Sequence, residues 1–348
     1  MTIEVNDFGK YSGKTVKLVH LFGSDGTRIS FMNWGATIQN WVTKDKNFKD
    51  TSVVLGFNEF DKYPNFSPYF GAIVGRVINR INKGKFSFNG KNYQLPINRP
   101  PNHLHGGETG LSKLIWDLDI DSSSNSLLFS IKSLDGHEGY PGNVNVSVKY
   151  KLKETKLSIE IKAEVDCPTP INMGQHNYFN LCPNSTNISN YNICDHELFI
   201  DSLYYTETDI NLIPTGKFNK LLNTEMDFKK NNKKIDRIEL DDNFILNAKR
   251  NLDKPVIYLF NINSGLFLKL WTDQPGIQVY NAPKLNIKEL GLNNRPYNNF
   301  AGICLEAQKY PDSLNHKNFP SIITTPDKPY YQKTEIDISL KAINISET

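Results

Sequence analysis

Apolar and polar side chains alternate along most of this chain with a period of two, the spacing of a strand half buried in a sheet. Residues 15–22, 28–32 and 37–43 are short β-branched or aromatic runs punctuated by Gly, Asn and Asp. Runs 127–134, 143–152 and 156–165 follow one another closely and predict a meander of antiparallel strands. Within residues 86–95, Asn89 and Gly90 supply the two positive-φ residues of a type I′ turn between alternating segments, the chemistry of a hairpin. Strands resume at 256–262, 266–271 and 277–280, and 334–343 closes the chain with clean alternation. Residues 184–192 (NSTNISNYN) and 228–234 (FKKNNKK) are expected to be solvated loops. Helical periodicity, βαβ alternation, a fixed-period repeat and a linker between two composition regimes are all missing. The expectation is an all-β chain, residues 1–348 forming one large antiparallel domain.

Two runs depart from a plain core pattern. Extended, residues 301–311 (AGICLEAQKYP) put Ala301, Ile303 and Leu305 on one face and Cys304, Glu306 and Gln308 on the other. A carboxylate in such a strand must be paired, hydrogen-bonded or working, because desolvating it alone costs several kcal/mol. Residues 171–181 (INMGQHNYFNL), read as a strand, gather Asn172, His176, Tyr178 and Asn180 on one face, which is poor core material but offers donors, acceptors and an aromatic rim to a sugar. In residues 102–107 (NHLHGG), His103 and His105 precede a glycine pair that lets the backbone bend sharply or approach a ligand. Arg76 and Arg80 add guanidinium forks that suit vicinal hydroxyls or carboxylates, with the Asn79 amide beside them. Asp241 and Asp242 place carboxylates just before an apolar run.

Composition narrows the partner. The 40 Lys+Arg against 37 Asp+Glu give +3, and the charges are scattered, which argues against a nucleic-acid or membrane-surface footprint. No run reaches the ~18 apolar residues of a membrane span, and the N-terminus lacks a secretory h-region, so a cytoplasmic protein is expected. Cys167, Cys182, Cys194 and Cys304 show no CxxC or paired Cys/His spacing, so reduced thiols and no zinc are expected. The Asn-x-Ser/Thr triplet at Asn184 reads as an accident of an Asn-rich composition, and no G-x-S-x-G elbow is present. One Glu and one or two His on polar strand faces, without nucleotide or metal motifs, suit general acid–base work on an uncharged polar small molecule. With ordinary pKa values of about 4.3 and about 6.5, such a pair predicts a bell-shaped pH–rate profile.

In order and spacing, the stretches GATI from Gly35, VLGF from Val54, GRVINRINKG from Gly75, NHLHGG from Asn102, DGHEGYPG from Asp135, TPINMGQHNYFNL from Thr169, IPTGK from Ile213, QPGIQVY from Gln274 and CLEAQKYPDSLN from Cys304 resemble the aldose 1-epimerase (galactose mutarotase) family over nearly the whole chain. The resemblance implies a single-domain β-supersandwich of large antiparallel sheets. It also implies a cofactor-independent isomerase that interconverts the α and β anomers of free hexopyranoses such as galactose and glucose. By the same resemblance Glu306 matches the catalytic base, His176 the general acid and His105 a second active-site histidine. Arg80, Asn79, Asp241 and Gln278 match ligands of the sugar hydroxyls. Departures from the family pattern are Asp242 where His is usual, Gly174, Gln175 and Asn177 in place of Thr, Asn and Ser, and Asn281-Ala282 in place of Thr-Gly. Two alternatives stand beside this reading: a carbohydrate-binding or sensory protein without turnover, and a hexose-6-phosphate 1-epimerase. Oligomeric state is left open by the sequence.

Overall fold

The computed structural model describes residues 3–187, 191–229 and 233–341. Three antiparallel sheets carry the architecture. Val5–Tyr11, Lys14–Phe22, Arg28–Met32, Thr37–Lys44 and Asp50–Ser52 form a five-stranded meander in chain order. An eight-stranded sheet runs Asp117–Asp121, Ser126–Ser133, Val144–Lys153, Lys156–Val165, Tyr330–Leu340, Leu266–Thr272, Ile257–Phe260, Glu197–Ile200, so the last strand is inserted at its middle. A six-stranded sheet runs Tyr178–Phe179, Ile303–Gln308, Gly276–Tyr280, Asp241–Leu246, Ser202–Thr208, Pro214–Lys220. The α-helix among the described residues is a single short turn, Lys62–Phe66.

Alternation sets which face is buried. In Val144–Lys153, Val144, Val146, Val148, Tyr150 and Leu152 are buried while Asn145, Lys149, Lys151 and Lys153 are exposed, each large apolar side chain contributing about 2 kcal/mol by leaving water. Phe31, Ile38 and Trp41 of the five-stranded sheet, Val148, Ile161 and Ile338 of the eight-stranded sheet and Ile277, Val279 and Leu305 of the six-stranded sheet belong to one buried cluster, which stacks the sheets face to face. The buried Tyr150 hydroxyl donates to the Ala36 carbonyl at 2.8 Å, fastening two of the sheets together. Lys85–Phe88 and Lys91–Gln94 form the hairpin expected from Asn89-Gly90, whose φ values are +49° and +73°.

One expected strand is not a strand. Residues 171–181 break into Gly174–Gln175, paired with Ile73–Val74, and Tyr178–Phe179, paired with Ile303–Gln308. The polar side chains read as one sugar-binding face instead stitch this irregular backbone: Asn172 exchanges hydrogen bonds with the Lys309 backbone at 3.0 Å each way, and Asn180 donates to the Ala301 carbonyl at 2.7 Å. Residues 188–190 and 230–232 of the two expected loops, and 342–343 of the expected last strand, lie outside the described residues.

Candidate active site

Ile303–Gln308 is buried at every position and lies between Tyr178–Phe179 and Gly276–Tyr280. Directly opposed residues of antiparallel strands share a face. The pairs Glu306 with Gln278, Cys304 with Tyr280, Tyr280 with Asp241, and Cys304 with Tyr178 therefore put all these side chains on one side of the six-stranded sheet. Asp242 opposes Val279, on the side of the apolar core, which explains why burial pushes its carboxyl up to about 6.

The seven residues singled out from the sequence form a chain of contacts whose two ends, Glu306 and Gln278, are opposed on neighbouring strands. His176 Nε2 lies 3.6 Å from Glu306 Oε1. The His105 and His176 rings meet edge to face, centroids 5.0 Å apart. His105 Nδ1 accepts the Asn79 backbone N–H at 3.2 Å, and Asn79 Oδ1 accepts the Arg80 backbone N–H at 2.7 Å. Arg80 Nη2 reaches Asp241 Oδ2 at 3.3 Å, and Gln278 Nε2 donates to Asp241 Oδ1 at 2.7 Å beside Glu306. Asn79 and His105 both sit at positive φ, +65° and +52°, and their backbones also bond to each other. The site is therefore held by strand register on one side and by two tied loop residues on the other.

Burial governs its electrostatics. Glu306 is 2% exposed and its Oε2 has no hydrogen-bond partner. Desolvation, with the Asp241 charge adding to it, lifts the carboxyl well above its ordinary range, against the pull of Arg80. Desolvation lowers His176 to about 4 and holds His105 well below its ordinary value. Burial thus favours the uncharged forms of both groups, a protonated carboxyl beside a neutral ring. A backbone N–H pointing at His105 Nδ1 requires a lone pair there, so the His105 proton is on Nε2.

One ring nitrogen each of His105 and His176 and one carboxylate oxygen of Glu306 all lie within 4.8 Å of one another. A metal would need the lone pair of His105 Nε2, whose proton the Asn79 contact holds in place, so these three residues do not make a ready ligand set.

Several other expectations meet a different outcome. Arg76 is 1% exposed and spends its guanidinium on Ser133 Oγ and the carbonyls of Ser133, Leu134, Pro141 and Gly142, leaving no fork for a ligand. His103 is tied between the Pro96 carbonyl at 2.7 Å and the Tyr140 hydroxyl at 2.8 Å. A Cβ on Gly106, at φ +82°, would stand 1.9 Å from the Gly75 carbonyl oxygen, so that glycine serves a backbone crossing rather than a ligand. The departures near His176 are local scaffolding: Gln175 donates to the Gly71 carbonyl at 2.8 Å and accepts from the Asn177 N–H, and Asn281 pins Ile238 and Leu240. Tyr69 was not anticipated. Its ring lies 4.7 Å from that of His105 and 5.7 Å from that of His176, half-buried at the site. Nothing in its local run, SPYFG, sets it apart from a core aromatic.

A family model described as aldose 1-epimerase matches residues 17–337. The chain is 38% identical over 334 residues to a galactose mutarotase of Mus musculus, covering 94% of this chain and 95% of that one. It is 34% identical over 347 residues to an aldose 1-epimerase of Haemophilus influenzae, covering 96% and 98%. The crystal structure of an aldose epimerase homologue from C. elegans superposes with a TM-score of 0.85 at 25% identity, over 93% of this chain and 99% of that chain.

Proposed function

The chain belongs to the aldose 1-epimerase family, and from that premise we propose that it interconverts the α and β anomers of free hexopyranoses, with Glu306 as base and His176 as acid. The observation that carries the assignment is the buried Nε2–Oε1 pair at 3.6 Å. Moving its single proton from Glu306 to His176 Nε2 creates a carboxylate and an imidazolium in one step, and the Arg80 charge together with sugar hydroxyls in the site favours that ionised form. Glu306 then takes the proton of the C1 hydroxyl while Nε2–H protonates the ring oxygen. The C1–O5 bond breaks to the open aldehyde, rotation about C1–C2 presents the other carbonyl face, and reclosure runs with the two roles reversed.

Asp241, Gln278, Arg80 and Asn79 would hold the ring hydroxyls, and His105 Nε2–H would donate to a sugar oxygen beside the reacting centre. The Arg80 charge is already met by Asp241 at 3.3 Å, which suits hydroxyls better than a phosphate dianion and favours free sugars over hexose 6-phosphates. A binder without turnover would have no use for a proton-sharing acid and base at the floor of the site. The whole chain is read as one domain, supported by the buried cluster common to the three large sheets. Polarimetry on α-galactose, with the uncatalysed rate subtracted, tests the function: wild type should speed the approach to anomeric equilibrium, and a folded protein that binds galactose without changing that rate would sink it.

A further inference from the structure

We propose that Tyr69 is a positioning residue for the two site histidines: its ring closes over His105 and His176 together, fixes one imidazole against the other and keeps water off both. The proposal rests on the roles given to His176 and His105 above and deepens them.

Three rings from three separate segments form a closed triangle. The centroids of Tyr69 and His105 lie 4.7 Å apart, those of Tyr69 and His176 5.7 Å, and those of His105 and His176 5.0 Å. His105 and His176 are 7% and 4% exposed, whereas Tyr69 is half-buried. Tyr178 also packs on His176, at 5.3 Å, but is itself buried, so among the described residues Tyr69 is the ring against His176 that also meets solvent. Tyr69 is therefore the outer member of the triangle, and the imidazole surface it touches is surface that water does not reach.

The backbone is built to hold that ring there. Tyr69 sits at φ +69°, a conformation that bulky L-residues rarely adopt and keep only where the surroundings over-determine it. The restraints are present: Ser67 Oγ accepts the Phe70 N–H at 2.8 Å, the Pro68 carbonyl accepts the Tyr178 hydroxyl at 3.2 Å, and the Tyr69 carbonyl accepts the Ala72 N–H at 3.1 Å. The same turn is tied to the backbone of His176 in both directions. Gly71 N–H donates to the His176 carbonyl and His176 N–H to the Ala72 carbonyl, each at 2.9 Å. Tyr69 is thus carried on the same framework as the histidine it covers.

The ring works by exclusion, not by charge. Desolvation, with Glu108 adding to it and Arg99 opposing, holds the phenol up to about 12, so the ring is uncharged at any working pH. Desolvation is also what lowers His176 to about 4, and it is the largest cause for His105, to which His176, Arg80 and His103 add. The other polar groups against His176, Glu306 Oε1 at 3.6 Å and Cys304 Sγ at 3.7 Å, come from Ile303–Gln308 and stay in place when Tyr69 is cut back. Removing the Tyr69 ring therefore hydrates the imidazoles and leaves those neighbours as they are.

The test is a ¹⁵N–¹H NMR titration of ¹⁵N-histidine-labelled protein, the His176 signals being assigned by their loss in His176→Asn. Tyr69→Gly removes the ring and keeps the turn, because glycine takes a positive φ as readily as a negative one. In it the His176 midpoint should climb by about one pH unit or more from about 4 toward the ordinary value, and the acid limb of kcat/KM should move up with it. Tyr69→Phe restores the ring without the hydroxyl and should return both to wild type. His196, buried outside the triangle with its Nε2 accepting the Leu181 N–H at 2.9 Å, should behave as in wild type in both variants. A His176 midpoint in folded Tyr69→Gly equal to wild type, a Tyr69→Phe midpoint displaced as far as that of Tyr69→Gly, or a His196 displaced along with His176 overturns the proposal. Tyr69→Asn, also at ease at positive φ, supplies the same comparison if the glycine variant does not fold. The titration is read without turnover, so failure of the acid assignment is seen separately, as a wild-type mutarotation rate in His176→Asn.

Discussion

Burial of His176 as a neutral ring should be readable as acid-dependent loss of stability. Its pKa is depressed from 6.5 to about 4, with desolvation as the cause. Because the folded value lies below the unfolded one, the unfolded chain takes up the proton first. The stability is therefore fully present above about pH 6.5 and is lost as pH falls through about 4. At about pH 4.5 the unfolded ring is almost wholly protonated while the folded one is still mostly neutral, which costs roughly 2.5 kcal/mol relative to about pH 7.5.

Other buried rings lose stability in the same window, among them His196, pushed down to about 3, and His105, held well below its ordinary value. The informative quantity is thus a double difference. Urea unfolding of wild type and His176→Asn at about pH 7.5 and about pH 4.5 should show the variant losing roughly 2.5 kcal/mol less than wild type across the interval. Glu306 does not confuse the comparison at its acid end, because its raised pKa keeps the carboxyl protonated there in the folded state. Equal losses in the two proteins would mean that His176 is solvated, or already charged, in the folded enzyme, and the proton-sharing pair would have to be abandoned.

Four further outcomes follow from the same geometry. Glu306→Gln should lower kcat about 10²- to 10⁴-fold, as expected for a missing base, while galactose binding by calorimetry survives; a folded variant with wild-type turnover would remove Glu306 from the mechanism. The pH profile of kcat/KM should be broader than ordinary pKa values allow, with its acid limb near the value of about 4 set by His176 and its alkaline limb displaced upward with Glu306; a narrow bell between the ordinary values would contradict the burial of the pair. Asp241→Asn, which removes the charge facing Arg80 and one of the two acceptor oxygens shared between Arg80 and Gln278, should raise KM or lower kcat at least 10-fold, whereas Asp242→Asn on the core side should leave both within about 3-fold; the reverse ranking would show that the strand register does not decide the sugar face. Hexose 6-phosphates should be poorer substrates than the free sugars at low and at moderate salt alike, and a phosphate preference that disappears with added salt would reassign the substrate class.

What the sequence disclosed and what it hid divide along one physical line. Glu306 could be placed because its strand is long and regular: a period of two carries a side chain's orientation for six residues, and register with Gly276–Tyr280 and Asp241–Leu246 extends it across the sheet to Gln278 and Asp241. The same rule separates Asp241 from Asp242 without any coordinates. It fails in residues 171–181, where the chain abandons regular pairing, so that His176 reaches the site while Asn172 and Asn180 turn to backbone repair. Arg76 misleads for a related reason, since a guanidinium looks the same in sequence whether it faces a ligand or five acceptors of its own protein. Tyr178 is the sharpest case. Alternation assigned it to the rim of the sugar site, yet it is 2% exposed beneath His176, its hydroxyl turned to the Pro68 carbonyl. Its place there depends on a pairing with Cys304, 126 positions further along the chain by the difference of their numbers. Glu306 and His176 are thus local in sequence signal, whereas the neighbours that pack on the His176 ring, Cys304 and Tyr178 among them, become visible only once distant strands are brought side by side.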